Sequence, residues 1–217
     1  MTREPRAGPS RQELAGRVVR VLNRGRQRNP DVLLVEDGER QVVVKDFAPR
    51  SAWVRASLGR WLTAREAAAY RWLEGHSAVP RFLGWIDPLA IALEFRPGRR
   101  ISRHLVDDAG PEFVEALARA VDELHRRGLA HLDLGHRSNV LVDEAGGPVL
   151  IDFASAVWFR PGGAGARWLL PWLARFDRRA VAKWRAKLAR QRSRRASPPA
   201  GTGAGVSGGG RSESRPT

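Results

Sequence analysis

His131-Leu132-Asp133-Leu134-Gly135-His136-Arg137-Ser138-Asn139-Val140-Leu141-Val142 is followed, after Asp143–Pro148, by Val149-Leu150-Ile151-Asp152-Phe153-Ala154. The first stretch opens on a polar His-x-Asp turn and leads through an Asn into a short apolar strand. The second is an apolar strand that ends in Asp-Phe. Asp133 and Asp152 lie 19 positions apart. A strand-end Asp is often only a cap for the next turn. Further upstream, Val42-Val43-Val44-Lys45 puts one lysine at the end of another apolar strand, and Glu66 falls in a helical pattern. The ordered set carries the information, because each residue alone has an ordinary structural explanation.

Working outward, Gly16–Leu22, Asp31–Glu36 and Gln41–Lys45 read as three strands of an antiparallel meander, with Asp37-Gly38 as a hairpin signal. Trp61–Glu74 is alanine-rich and stops at Gly75, which predicts a helix with a glycine C-terminus. Trp61 and Trp72 are expected to bury one face of it. Phe82–Ile86 and Ala90–Phe95 read as strands around Asp87-Pro88, and Pro97-Gly98 breaks the chain. Beyond the break, Pro111–Arg127 aligns Phe113, Val114, Leu117, Val121 and Leu124 on one helical face, with Gly128 as its stop. Arg167–Phe176 and Arg179–Arg190 are two further helical candidates. The expected architecture is α+β with two lobes: a strand-rich N-lobe over 13–96 and a short helical C-lobe over 97–190. The flanks, 1–12 and the basic tail 191–217, have the composition of disordered chain.

At 217 residues with 42% apolar composition, the chain can build a core. It has no cysteine, which excludes a disulfide framework and cysteine-bound zinc and fits a reducing compartment. Neither an 18-residue apolar run nor a signal-peptide core is visible, so a cytoplasmic protein is expected. The net charge of +15 is uneven: residues 160–217 hold 14 Arg/Lys against Asp177 and Glu213, whereas 1–159 hold 24 against 21. Such an excess points either to an anionic partner or to a solvated Arg-rich surface. Val181, Trp184 and Leu188 recur at helical spacing among these cations. That stripe either packs on the second lobe or lies on an anionic membrane. His76, His104, His125 and His136 lack metal-ligand spacing.

Phosphoryl transfer asks for cations on phosphates, carboxylates on magnesium and a base near an acceptor hydroxyl. Lys45, Glu66, Asp133, Asn139 and Asp152 supply these in order. HLDLGHRSNVLV resembles the HRDxxxxN loop of the protein-kinase-like superfamily, IDFA resembles its DFG, and VVVK resembles its VAIK. Leu93-Glu94-Phe95 before Arg96-Pro97-Gly98 resembles the interlobe hinge. The resemblance covers about residues 16–160 and is nearest to compact bacterial members, the lipopolysaccharide-core sugar kinases and the RIO-type serine kinases. It implies ATP with Mg²⁺ or Mn²⁺. It also implies Lys45 on the phosphates, Glu66 positioning Lys45, and Asp133 facing the acceptor hydroxyl. Asp152 and Asn139 would be metal ligands, and Glu94, Phe95 and Arg96 would lie at adenine. His131 is expected to hold the loop.

Several departures stand out. Asn139 lies six residues after Asp133 instead of five, so either the loop carries an extra residue or Ser138 takes the metal position. Leu132 replaces an arginine that would pair with an activating phosphate. Ala154 replaces the glycine of DFG, and no Gly-rich loop is visible. The turn between the first two expected strands, Asn23–Asn29, either covers phosphates or is a plain basic loop. Only about 40 ordered residues are expected after Asp152, with no Ala-Pro-Glu motif, so the usual peptide platform cannot be complete. The expected function is ATP-dependent transfer to a hydroxyl, with a membrane glycolipid as the first expected acceptor. A RIO-like serine/threonine kinase and a silent scaffold are the alternatives. Specific nucleic-acid binding is not expected.

Overall fold

The computed structural model describes residues 9–101 and 112–196. The chain begins with helix α1 (Arg11–Arg17), followed by strands β1 (Val18–Asn23), β2 (Asp31–Asp37) and β3 (Arg40–Asp46). A helical run follows: α2 (Ala52–Val54), a π-helical turn (Arg55–Gly59) and α3 (Arg60–Trp72). Strands β4 (Phe82–Asp87) and β5 (Ala90–Glu94) complete an antiparallel sheet of order β1-β2-β3-β5-β4. The expected meander is present, closed by Gly38-Glu39 between β2 and β3.

The second half contains β6 (Gly98–Arg100), α4 (Phe113–Arg126), β7 (Leu129–Ala130), β8 (Val140–Asp143), β9 (Pro148–Leu150), β10 (Val157–Trp158), α5 (Ala164–Trp168) and α6 (Leu170–Ala196). Strand β8 pairs with both β6 and β9, and β7 pairs with β10. Helix α4 buries the five residues expected of it, and Gly128 ends it at φ 86°. A Cβ there would lie 2.2 Å from the carbonyl oxygen of Phe159, so only glycine fits.

Alternation along the first sheet separates two environments. Val35, Val42, Val44 and Ala90 face α1, whose Leu14 is buried on them. Ile91 and Leu93 face α3 and join Tyr70, Leu73, Leu117, Leu124 and Leu150 in one apolar cluster that runs through both halves. Lys45 lies on the α3 side of β3. Arg127 reinforces this junction by donating to the carbonyls of Leu73, Glu74 and Gly75, where the α3 macrodipole is negative.

Four sequence expectations change. Arg11 and Gln12 are helical rather than disordered. Ser10 and Glu13 form a capping box, and Arg11 pairs with Asp46 and Asp87, both at 2.6 Å. This helix displaces the start of the first strand from Gly16 to Val18. The chain does not break between Phe176 and Arg179: Leu170–Ala196 is one helix that runs past the expected boundary at 190, and the break falls at Leu169, after α5. Val181, Trp184 and Leu188 are 6%, 2% and 5% exposed and belong to the core. Trp61 is exposed and Trp72 only half-buried, its indole N–H donating to Arg127 O at 2.7 Å. Residues 1–8, the start of the expected helix at Pro111, His104 and the tail from 197 lie outside the described residues.

Candidate active site

Lys45 is 8% exposed, and its ammonium is held between two carboxylates: Glu66 Oε1 at 2.5 Å and Asp152 Oδ1 at 3.2 Å. Glu66 is placed by the α3 face that also buries Thr63, Ala67 and Tyr70, spaced three and four residues apart. Burial disfavours the Lys45 charge, but Glu66 and then Asp152 outweigh it and hold the ammonium above its ordinary pKa. The same ammonium, against the opposing effect of burial, holds the half-exposed Asp152 carboxyl below its ordinary value. The ion pair with Glu66 and a second, partly open carboxylate keeps Lys45 charged.

Asp152 takes a left-handed backbone, φ 68° and ψ 73°. Aspartate tolerates this region better than most residues. Its N–H donates to the hydroxyl of Tyr70, the only tyrosine in the chain, at 3.3 Å. Tyr70 also packs edge-on against Phe153 with ring centroids 5.1 Å apart, and burial pushes its hydroxyl pKa up. Arg65, one position before Glu66, donates to the carbonyls of Ala154, at 3.2 Å, and Ala156. Its guanidinium lies 5.4 Å from the ring centroids of both Trp61 and Trp158. Helix α3 therefore grips both sides of Asp152.

The His131–Asn139 loop is built differently. Asn139 is buried, and its amide donates to Asp133 Oδ2 at 2.7 Å and to the Asp133 carbonyl at 3.0 Å. Ser138 Oγ donates to Asn139 Oδ1 at 2.9 Å and lies 2.6 Å from His136 Nδ1. Pairing of Val140 with Leu150, and a bond from Ile151 N–H to Asn139 O at 3.0 Å, brings Asn139 and Asp152 to the same end of the β8–β9 hairpin. Leu132 has φ 67°, a conformation that costs roughly 1–3 kcal/mol for a bulky residue. Asp177 of α6 compensates: its buried carboxylate accepts from the N–H groups of His131 and Leu132, both at 2.8 Å, and from His125 Nε2–H at 3.0 Å.

His131 holds the loop, as expected. Its Nδ1 accepts from Asp133 N–H at 3.4 Å, so Nε2 carries the hydrogen and donates to Ile151 O at 3.2 Å. Burial pushes its pKa down, which keeps this tautomer neutral.

The structure thus gathers Lys45, Glu66 and Asp152 into one cluster and Asp133, Asn139 and Ser138 into another beside it. Glu94, Phe95 and Arg96 are half-buried in the connection between the halves. Glu94 accepts from Arg81 N–H at 3.0 Å, and Arg96 reaches the Ser77 carbonyl. The Asn23–Asn29 turn is braced: Asp31 accepts from Gly25 N–H at 2.8 Å and from Arg50 at 2.5 Å, and Arg50 also reaches the Gly25 carbonyl. A Cβ at Gly25 would stand 2.1 Å from Asn29 O. Among the described residues no three His, Cys, Asp or Glu side chains cluster in a metal-binding arrangement. One carboxylate and one amide oxygen fit magnesium, which binds few protein ligands and keeps phosphates and waters. Sequence reading missed Asp177, Tyr70 and Arg65. Asp177 alone had a signal, as the only acid between residues 160 and 212.

No family model matches the sequence, and no curated protein does. Solved structures do. Rio2 kinase from Chaetomium thermophilum, as an ADP/Mg²⁺-phosphoaspartate complex, is 19% identical with a TM-score of 0.52, over 75% of this chain and 55% of that one. Another structure of the same kinase gives 20% identity and a TM-score of 0.51, over 76% and 57%. The chain has the protein-kinase-like fold. It is α+β and two-lobed, and it spans just over half the length of these kinase structures.

Proposed function

We propose that the protein is a magnesium-dependent phosphotransferase that moves the γ-phosphoryl group of ATP to a hydroxyl. The arrangement of Lys45 between Glu66 and Asp152, beside an Asp133 held by Asn139, carries this reading. A scaffold has no need of a buried lysine shared by two carboxylates. Lys45 would contact the phosphates, and Glu66 would fix its direction. Asn139 occupies Asp133 Oδ2, which leaves Oδ1 to accept the acceptor's proton. The acceptor oxygen then bonds to the γ-phosphorus as its bond to the β–γ bridging oxygen breaks, and ADP departs. Asp152 and Asn139 would hold magnesium, which supplies charge neutralisation on the phosphates. The backbone of Glu94–Arg96 would meet adenine.

The acceptor we favour is small or lipid-linked, such as the sugar of a glycolipid. Only β10 and the short helix α5 lie between the Asp152 segment and α6, leaving little chain for a peptide platform. A protein Ser/Thr acceptor is the second reading, favoured by the likeness to Rio2 kinase. The test is a labelled-ATP assay offering lipopolysaccharide core, a generic protein, or buffer alone. Transfer in any arm that disappears in Asp152→Ala, with the fold intact by circular dichroism, is the expected result. Losing a metal carboxylate costs several kcal/mol in the transition state. Wild-type turnover in that variant refutes the site assignment.

A further inference from the structure

Helix α6 has an outward face whose residues the site does not use. Trp172, Phe176, Arg179, Lys183 and Arg190 follow one another at intervals of four, three, four and seven, which places them on one side of the helix. All five are exposed. Just before them, Trp168 is 75% exposed and Leu169 55%. Trp172 and Phe176 pack edge to face with centroids 5.3 Å apart, so these two form a contiguous apolar patch rather than scattered singles. Asp177 points inward, and Arg175, Arg179, Lys183 and Arg190 have no carboxylate partner among the described residues. The sequence beyond this helix, 197–217, carries two arginines and one glutamate, so it offers no complementary charge to cover the face.

We propose that this face docks on an anionic lipid surface, with the aromatic cluster at the headgroup boundary and the cations on lipid phosphates. Tryptophan is the side chain that favours this boundary, because it is apolar in body and polar at one edge. A row of cations beside an apolar wedge is the pattern that holds an amphipathic helix in the plane of an interface. None of the described helices is long and apolar enough to cross a membrane, so attachment would be by this face. A single-stranded nucleic acid would also meet the cations. It would need flat aromatic platforms, however, whereas Leu169 offers none and Phe176 makes an edge contact with Trp172. The inference does not depend on the phosphotransfer reading, and its test uses no nucleotide.

The experiment is co-sedimentation of the full chain with phosphatidylcholine vesicles, with and without phosphatidylglycerol, across a salt series. Binding should require phosphatidylglycerol and weaken as salt rises. Each neutralised cation should lower partitioning about fivefold, so Arg179→Gln with Lys183→Gln should lower it about twenty-fivefold. Trp168→Ala with Trp172→Ala should lower it at least tenfold, from the apolar area withdrawn. All four side chains are exposed, and unchanged thermal unfolding verifies that both variants fold. Failure of the parent to bind, or unchanged binding in either double variant, overturns the proposal. So does single-stranded RNA binding that depends on the same residues and is not displaced by vesicles.

Discussion

Replacing Asp177 by Asn tests how the loop is held, independently of any substrate. Asp177 Oδ2 receives two buried hydrogen bonds and Oδ1 a partly buried one, from donors of the loop or α4. Asparagine keeps one oxygen. With that oxygen in the Oδ2 position, the new amide faces Leu132 N–H donor to donor. One partly buried N–H then goes unsatisfied, at about 1–3 kcal/mol. The two surviving bonds lose their charge assistance, roughly 1 kcal/mol each. Removing a buried charge recovers part of its desolvation cost, which leaves a net loss of about 2–4 kcal/mol. With a urea slope of about 2 kcal/mol/M, the midpoint should fall by roughly 1–2 M at unchanged slope. Leu132 should also relax from its positive φ, so phosphotransfer should fall even well below the midpoint. A midpoint within about 0.25 M of the parent would refute the claim that Asp177 pins the loop.

The remaining predictions concern the site and its titration. Lys45→Met should reduce turnover by orders of magnitude and Glu66→Gln by less, since Glu66 acts through Lys45; parental rates in both would remove this strand and helix from the mechanism. Asn139→Ala should cost about ten- to a hundredfold in kcat, from one charge-assisted bond to Asp133. Ser138→Ala should cost under tenfold, and the reverse order would assign the metal to Ser138. Burial pushes the imidazoles of both His76 and His131 below 6.5, so between those lowered values and 6.5 the unfolded chain binds more protons. Stability is therefore full above about 6.5 and falls as pH drops, by up to about 1.4 kcal/mol per pH unit for each histidine. Urea midpoints from pH 7.5 to 5.5 check this, and His76→Gln should roughly halve the slope.

The residues that the structure clusters were legible because each is tied to a short pattern. Apolar strands end at Lys45 and Asp152, a helical period carries Glu66, and a local turn holds Asp133 and Asn139. What the sequence hid involves partners far apart along the chain. Asp177 meets the loop 45 positions away, and no local period marks it. Helix α1 has a single buried leucine, too little for periodicity, although its Ser10–Glu13 box was visible. The Val181–Trp184–Leu188 stripe was read at the correct spacing. Periodicity names a face without saying what covers it, and here the second lobe does. Trp61 illustrates the same limit, because its partner is Arg65 rather than the core.

The apolar cluster shared by both halves has a consequence for how the molecule can be cut. Ile91, Leu93, Tyr70 and Leu73 belong to the first half of the sequence, yet they are buried against Leu117, Leu124 and Leu150 of the second. A fragment ending near Pro97 would leave these side chains in water and would lose the Arg127 cap on α3. Each large apolar side chain so exposed forfeits about 1.5–3 kcal/mol, which is enough in total to exhaust the stability of an ordinary domain. Neither half should fold alone. The chain should melt in one transition, and fusion or split-protein designs should place their breaks at the termini instead of at the hinge.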